Sequence, residues 1–498
     1  MRAYARRDRA AANGADSETA VLVETENSSV AARQRKFDLT VIGSGPGGYV
    51  AAVRGAQLGL STAVVEMAPR PGGTCLHWGC IPTKAMLHTA ELLESTRDAA
   101  SFGVNLRDAC LDVAGMHAYK RGIVEANTKG VEYLFKKNKI HLLAGRGRLA
   151  GPGKVEVDPA QGERYTVETT HTVLATGSTI RGLPGVKFDG KRVINSDQAL
   201  QLESVPASMI VLGAGAVGVE FASIYRSFGA EVTVVELLPR LIPIEDVDLG
   251  RELERSFKKR GIKVHTGTRV ETVTPGGKSV ELLALKGDKK IELEAEVLLV
   301  AIGRAPVTAD VGIEESGVKL GERGFVEVDA MMRTAAPGVY AIGDLLATPA
   351  LAHVASHEGV VAVEHAAGAE PRPLEYDRVP SCTYCKPEVA SIGLTEEEAR
   401  RRGFDVVVGK FPFSAVAKAK ILHEPGGFVK IVAESKYDEV LGIHVIGPHA
   451  TELIAEGTAA LNLEATAESL IHAIHAHPTL AEAMGEAALG VHGRSLHI

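Results

Sequence analysis

Phe37-Asp38-Leu39-Thr40-Val41-Ile42-Gly43-Ser44-Gly45-Pro46-Gly47-Gly48-Tyr49-Val50-Ala51-Ala52 reads as a short apolar strand, a glycine turn and the start of a helix. Each glycine of the fingerprint has its own task. Gly43 permits the tight turn, Gly45 lets the backbone approach a pyrophosphate, and Gly48 lets the helix pack on the strand. The helix N-terminus then offers unpaired N–H groups to the anion. A second strand-type run, Thr62-Ala63-Val64-Val65, ends at Glu66, where a carboxylate can accept hydrogen bonds from an adenosine ribose.

The pattern recurs. Met209-Ile210-Val211-Leu212 leads into Gly213-Ala214-Gly215-Ala216-Val217-Gly218, a helix-like stretch follows, and Glu231-Val232-Thr233-Val234-Val235 ends at Glu236. Glu236 stands at the same interval from Gly213 as Glu66 does from Gly43. Two such units imply two dinucleotides, of which one can be a flavin and the other a nicotinamide. A carboxylate at 236 would bond the free 2′-hydroxyl of NAD and repel the 2′-phosphate of NADP, so NAD is expected. Neighbouring Arg240 is the residue that could admit NADP.

Directly after the first unit come Gly72-Gly73-Thr74-Cys75-Leu76-His77-Trp78-Gly79-Cys80-Ile81-Pro82-Thr83-Lys84. A disulfide between Cys75 and Cys80 closes too short a loop to add much stability, but an exposed, strained one exchanges readily with thiols, so the pair reads as a redox centre. With only Cys110, Cys382 and Cys385 besides, the chain has no disulfide framework, and a reducing compartment, the cytoplasm, is expected. The chain has 498 residues, 45% hydrophobic, with a net charge of -7. That is ample for several domains with cores and argues against a nucleic-acid partner. No run approaches the roughly 18 apolar residues of a membrane span, so none is expected. Residues 1–36 mix arginines with acids, show no apolar period and read as a disordered extension.

With these motifs, and with Ala175-Thr176-Gly177, Val300-Ala301-Ile302-Gly303-Arg304, Tyr340-Ala341-Ile342-Gly343-Asp344 and His475-Ala476-His477-Pro478-Thr479-Leu480-Ala481-Glu482, the chain from residue 37 onward resembles the flavoprotein disulfide reductase family. Within it the likeness is to the branch that oxidises dihydrolipoyl groups with NAD. The resemblance implies an α/β fold: a Rossmann-like FAD domain (37–177), a Rossmann-like NAD domain (178–305), a central segment that completes the FAD site (306–376) and an α+β dimerisation domain (377–498). It implies that Gly73, Thr74, Lys84, Thr176, Gly177, Gly343 and Asp344 join Gly43, Gly45, Gly48 and Glu66 around FAD. Gly303 and Arg304 would join Gly213, Gly215, Gly218 and Glu236 in nucleotide binding.

Chemical roles follow from the same likeness. Cys75 would exchange with the lipoyl sulfurs, and Cys80 would lie against the flavin as a charge-transfer thiolate. A dithiol reduces a disulfide only through a thiolate, so a base is required. His477 is the candidate, held in one tautomer by Glu482. Lys84 and its carboxylate partner Glu220 would tune the flavin edge. In such a family the disulfide of one subunit faces the histidine of the other, so a homodimer is implied. Its partner would be the lipoyl-bearing acyltransferase or carrier protein of a 2-oxoacid dehydrogenase or glycine-cleavage complex.

Other features carry less. Trp78 would pack over the nucleotide or fill core. Cys382-Thr383-Tyr384-Cys385 has thioredoxin-like spacing but reads as a strand, favouring two buried thiols over a second dithiol centre. His472, His475 and His477 do not converge on one helix face, so no metal is expected. Glutathione-type reductases would want a basic residue where Glu236 stands. A mercuric reductase would add a C-terminal cysteine pair, which this chain does not have. From another class, a structural subunit of an acyl-transfer complex would carry neither flavin nor turnover.

Overall fold

The computed structural model describes residues 35–107 and 109–498. The extension expected over 1–36 lies outside the described residues up to 34, and its end is corrected: the first strand starts at Arg35 and runs to Ile42. It lies at the centre of a sheet, parallel to Thr62–Glu66 on one side and to Tyr165–Leu174 on the other. The sheet extends outward through His141–Ala144 at one edge and, antiparallel, through Lys154–Asp158 and Arg146–Leu149 at the other. Thr62–Glu66 is buried along its whole length. Burial on both faces, with Ala63, Val64 and Val65 in succession, is what a covered parallel strand requires. Val41, Val64 and Val173, neighbours across three strands, are fully buried, each contributing about 1.5–3 kcal/mol.

The segment 306–376 is not a domain of its own. Val339–Ala341 pairs in parallel with Tyr165–Leu174, so it belongs to the first sheet. Val311, Ile313, Val326 and Tyr340 sit in the same apolar core as Val41 and Val64. Helix Ala352–Ala366 packs on the first helix, Pro46–Gln57. A Cβ on Gly359 would meet the Gly47 carbonyl at 2.8 Å, so only glycine allows the two helices so close.

The second unit repeats the design with five parallel strands, in the order Lys263–His265, Glu231–Val235, Ser208–Leu212, Val297–Val300, Val193–Ile194. A three-stranded antiparallel sheet, Arg269–Pro275, Val280–Lys286 and Lys289–Ala295, shares an apolar cluster with one of its faces. The C-terminal unit is a five-stranded antiparallel sheet, ordered Ser381–Thr383, Glu388–Gly393, Val440–Gly447, Phe428–Glu434, Val406–Pro412. Helices Ala450–Asn462 and Glu482–Val491 pack on it, and helix Val247–Lys259 of the second unit packs against strand Val440–Gly447. This is the α+β arrangement the sequence implied. No helix among the described residues is long and apolar enough to cross a membrane.

Helix Cys80–Asp98 joins the units. It starts beside the first glycine turn, yet Met86, Ala90 and Leu93 pack in one cluster with Phe221 and Tyr225 of the second unit and Phe428 of the C-terminal sheet.

Candidate functional site

The glycine turns and the cysteine loop are bolted together. The Gly72 N–H donates to the Ser44 carbonyl at 3.1 Å and to Ser44 Oγ at 3.2 Å, and Ser44 Oγ donates to Glu66 Oε2 at 2.5 Å. Glu66 also accepts from the N–H groups of Ser44 (2.9 Å) and Ala68 (2.7 Å). Gly73 approaches so closely that a Cβ there would lie 2.5 Å from Gly45 Cα. Ser44 was missed in the sequence; a serine between turn glycines carries no signal until its partners are known.

The second turn copies the first. Glu236 accepts from Ala214 N–H at 2.6 Å and from Leu238 N–H at 2.7 Å. Each acid therefore holds its own turn with part of its hydrogen-bonding capacity. Arg240 turns away into its own loop, its Nη2 donating to the Pro243 carbonyl at 3.0 Å.

The glycines themselves test whether dinucleotides fit. A Cβ on Gly43 would strike Ala175 O at 2.3 Å, and one on Gly48 would strike Gly43 O at 2.0 Å. The equivalents at Gly213 and Gly218 would meet Ala301 O at 2.4 Å and Gly213 O at 1.9 Å. The middle glycines differ. Gly45 and Gly215 have ordinary extended backbones (φ -61° and -70°), and a Cβ on either would meet nothing closer than 4.0 Å. Neither packing nor conformation demands glycine there, so the space belongs to something outside the chain. Both residues precede a helix whose N-terminus has no side-chain cap, leaving N–H groups for a pyrophosphate.

Further along, Ser178 gathers the residues expected around FAD. Its hydroxyl donates to Asp344 and accepts from Arg304 Nε at 2.6 Å, while Thr176 Oγ1 donates to the Val307 carbonyl at 2.7 Å. Arg304, expected on the nucleotide of the second unit, thus reaches back to Asp344 (3.9 Å). Gly177, Gly303 and Gly343 adopt left-handed backbones of φ +68°, +109° and +71°. Glu358, also missed, is fully buried and accepts the Gly343 N–H at 2.6 Å, with Thr348 and Tyr376 hydroxyls on its other oxygen.

Cys75 ends up in the short helix Gly73–His77, and Cys80 opens helix Cys80–Asp98. They stand as free thiols in hydrogen-bonding contact, Cys75 donating to Cys80. That bond draws the Cys80 thiol down to about 7, against desolvation and aided by the Lys84 charge, while Cys75 is pushed up. A helix N-terminus favours a thiolate in the same sense. Lys84 Nζ reaches both oxygens of Glu220 at 2.8 Å, and Glu220 is buried. The Tyr384 N–H donates to the same carboxylate at 2.9 Å, and the Tyr384 ring lies 4.6 Å from the ammonium. In the sequence Tyr384 was only filler within the Cys382–Cys385 spacing. Cys382 is half-buried against Thr451 and Cys385 is buried, with its Sγ on the Pro387 carbonyl.

Trp78 is 41% exposed, which corrects the core-filling reading: its residue closes a five-residue helix and leaves the ring outside, 5.2 Å from His77. His477 Nδ1 meets Glu482 Oε1 at 2.8 Å, and Thr479 N–H donates to Glu482 Oε2 at 2.9 Å. Although burial pulls the Glu482 carboxyl upward, these two bonds hold it below its usual range. His477 is 72% exposed, and no hydrogen bond joins it to either cysteine among the described residues. His472 and His475 pair separately with Glu468 and Glu456. Among the described residues no group of three or more His, Cys, Asp or Glu could hold a metal.

Two dinucleotide turns, a dithiol at a helix start and a carboxylate-held histidine on a separate domain define a redox flavoprotein architecture. The chain belongs to the pyridine nucleotide-disulphide oxidoreductase family: residues 37–359 match that family and residues 379–488 its dimerisation domain. FAD and NAD are accordingly its two nucleotides. It is 44% identical over 472 residues to a dihydrolipoyl dehydrogenase of Bacillus subtilis (93% of this chain, 99% of the relative). It is 40% identical over 485 residues to the mitochondrial dihydrolipoyl dehydrogenase of Pisum sativum (95% and 97%). The crystal structure of LpdA from Mycobacterium tuberculosis superposes with a TM-score of 0.84 at 29% identity, covering 91% of this chain and 99% of that one.

Two outcomes follow from this geometry. Gly215→Ala leaves unfolding stability within about 1 kcal/mol of wild type but raises the KM for NAD about tenfold, whereas Gly218→Ala costs about 1–3 kcal/mol in a denaturant melt. In the reduced chain, thiolate absorbance rises around pH 7 as Cys80 ionises. Lys84→Met moves that midpoint up, because a stabilising cation is gone, and Glu220→Gln moves it down, because a repelling anion is gone.

Proposed function

We propose that the chain oxidises dihydrolipoyl groups with NAD as the final acceptor, the reaction named in the relatives to which it is 40% and 44% identical. The observation that carries this reading is the thiol pair at the start of helix Cys80–Asp98, joined through Gly72 and Ser44 to the first glycine turn and through Lys84–Glu220 to the second unit. FAD would be held by the turn at Gly43, Gly45 and Gly48, by Glu66, and by the Thr176, Gly177 and Gly343–Asp344 segments, and when bound it would supply a two-electron acceptor for the thiol pair and a hydride donor for NAD. NAD would be held by the turn at Gly213, Gly215 and Gly218, with Glu236 available to its adenosine ribose.

The working state of the cysteine pair is a Cys75–Cys80 disulfide. His477 of the partner subunit removes a proton from one substrate thiol, and Glu482 beside it steadies the imidazolium that forms. The substrate thiolate attacks Cys75 Sγ, the Cys75–Cys80 bond breaks, and Cys80 departs as a thiolate whose low pKa makes it the better leaving group. The second substrate thiol then attacks the sulfur joined to Cys75, closing the lipoyl disulfide, and its proton passes to the departing Cys75 sulfur, which returns as a thiol. Cys80 thereby holds the electron pair at a helix N-terminus near Lys84. The net change is dithiol plus NAD⁺ to disulfide plus NADH and a proton.

Exposure of His477 and the family's dimerisation domain over 379–488 support a homodimer whose two active sites are each built from both subunits. The lipoyl arm would arrive on an acyltransferase or carrier protein of a 2-oxoacid dehydrogenase or glycine-cleavage complex, in the cytoplasm. The domains serve this reading as a FAD unit completed by residues 306–376, an NAD unit and a dimerisation unit.

His477→Gln should lower turnover of dihydrolipoamide about 10²–10⁴-fold while leaving NADH oxidation by ferricyanide, which needs no substrate deprotonation, near wild type. Cys75→Ser should abolish the first and spare the second. Equal loss of both in His477→Gln would refute the base assignment. Separately, kcat/KM for NAD should exceed that for NADP about a hundredfold, measured at matched ionic strength; parity would remove the carboxylate argument at Glu236.

A further inference from the structure

A buried ion cluster lies where the second unit meets the C-terminal sheet, and neither glycine turn nor thiol pair uses it directly. Lys430, in the middle of strand Phe428–Glu434, is 1% exposed. Its Nζ is 2.9 Å from Asp246 Oδ1, 2.9 Å from Glu396 Oε2 and 3.1 Å from Asp248 Oδ2. His444, opposite Lys430 across the strand pair, is fully buried and meets the Leu394 carbonyl through Nε2. An ammonium out of water needs such partners, and a group of apolar residues would pack the seam as well or better. What the ions add is fixed position.

The position they fix is the end of the loop that begins at Glu236. Asp246 caps helix Val247–Lys259 by accepting the Asp248 N–H at 2.9 Å, and its other oxygen takes the Glu396 N–H at 3.2 Å. Glu245 accepts from Ser381 Oγ at 3.0 Å. Both residues of Glu245-Asp246 are thus tied to the C-terminal domain. From there the loop returns to the glycine turn: Ile242 N–H donates to the Ala214 carbonyl at 2.8 Å, while Ala214 N–H donates to Glu236. Ile242 holds a left-handed backbone at φ +41° and is buried. A β-branched residue keeps that conformation only where its surroundings over-determine it.

We propose that Lys430 is a positioning residue for NAD: by pinning Asp246 it sets the 237–246 loop, and through Ile242 and Ala214 it holds the Glu236 carboxylate where the adenosine ribose is received. The proposal rests on the reading of the second turn as the NAD site. It makes the dimerisation sheet a structural support for nucleotide affinity in addition to its role between subunits.

The test uses the FAD-loaded full chain and ADP-ribose, the adenosine half of NAD without the reactive ring, titrated by calorimetry. Lys430→Met should weaken ADP-ribose about tenfold and raise the KM for NAD by a similar factor, with the anaerobic rate of reduction by dihydrolipoamide unchanged. Asp246→Asn, which keeps the helix cap and loses the ion pair, should act in the same direction and decides the matter if Lys430→Met does not fold. Glu94→Gln, which breaks the interdomain pair with Arg260 (2.5 Å) at the opposite, C-terminal end of helix Val247–Lys259, should leave ADP-ribose affinity as it was. Unchanged affinity in a folded Lys430 or Asp246 variant, or equal weakening in Glu94→Gln, would overturn the positioning role. A wild-type chain that does not bind ADP-ribose would overturn the nucleotide reading itself and this proposal with it.

Discussion

The contact of Gly73 with Gly45 is the constraint from which the rest of the arrangement follows. With backbone against backbone, the cysteine loop has no freedom to leave the first turn, and the Gly72 N–H on Ser44 fixes its rotation. Glu66 closes the knot, because one carboxylate serves the turn and the end of its own strand at once. Any side chain at 73 would push the cysteine loop off the first glycine turn. The helix that starts at Cys80 then carries the geometry outward to Glu220, so the redox pair is fixed against both nucleotide units.

The seams between units are closed by ions as well as by apolar contact. Lys84–Glu220, Glu94–Arg260 and Lys430–Asp246 each cross a domain boundary. Buried ion pairs are weak sources of stability because desolvation offsets much of their attraction. Their direction and reach are narrow, however, and three of them at separate points define the relative placement of units that apolar surfaces alone would let slide. A catalyst that relays electrons from a thiol through a flavin to a nicotinamide needs that placement more than it needs a few kcal/mol.

Local features of the fold and site were legible where the backbone itself sets the residue type. Gly43, Gly48, Gly213 and Gly218 are required by contacts under 2.5 Å, so their spacing announced both turns, and Thr62-Ala63-Val64-Val65 announced the strand that ends at Glu66. Glu482 was found because its distance along the chain from His477 is short. Legibility failed where meaning depends on a partner remote in sequence. Val339–Ala341 could not be placed in the first sheet before its pairing with Tyr165–Leu174 was seen. Glu358 and Lys430 read as ordinary helix and strand charges until burial showed what they hold. Trp78 went astray for a related reason: aromatic residues are buried on average, and only the turn geometry says that this one faces out.

The separation of His477 from the thiols is itself informative about why such a site is divided between subunits. Within one chain His477 is exposed and makes no hydrogen bond to either cysteine among the described residues, so its free edge is open to a partner. Placed on an exposed loop and held by Glu482 and the Thr479 N–H, the imidazole keeps one nitrogen committed to orientation and the other free. In the proposed dimer, a second copy would bring that nitrogen toward the thiol pair from outside the chain.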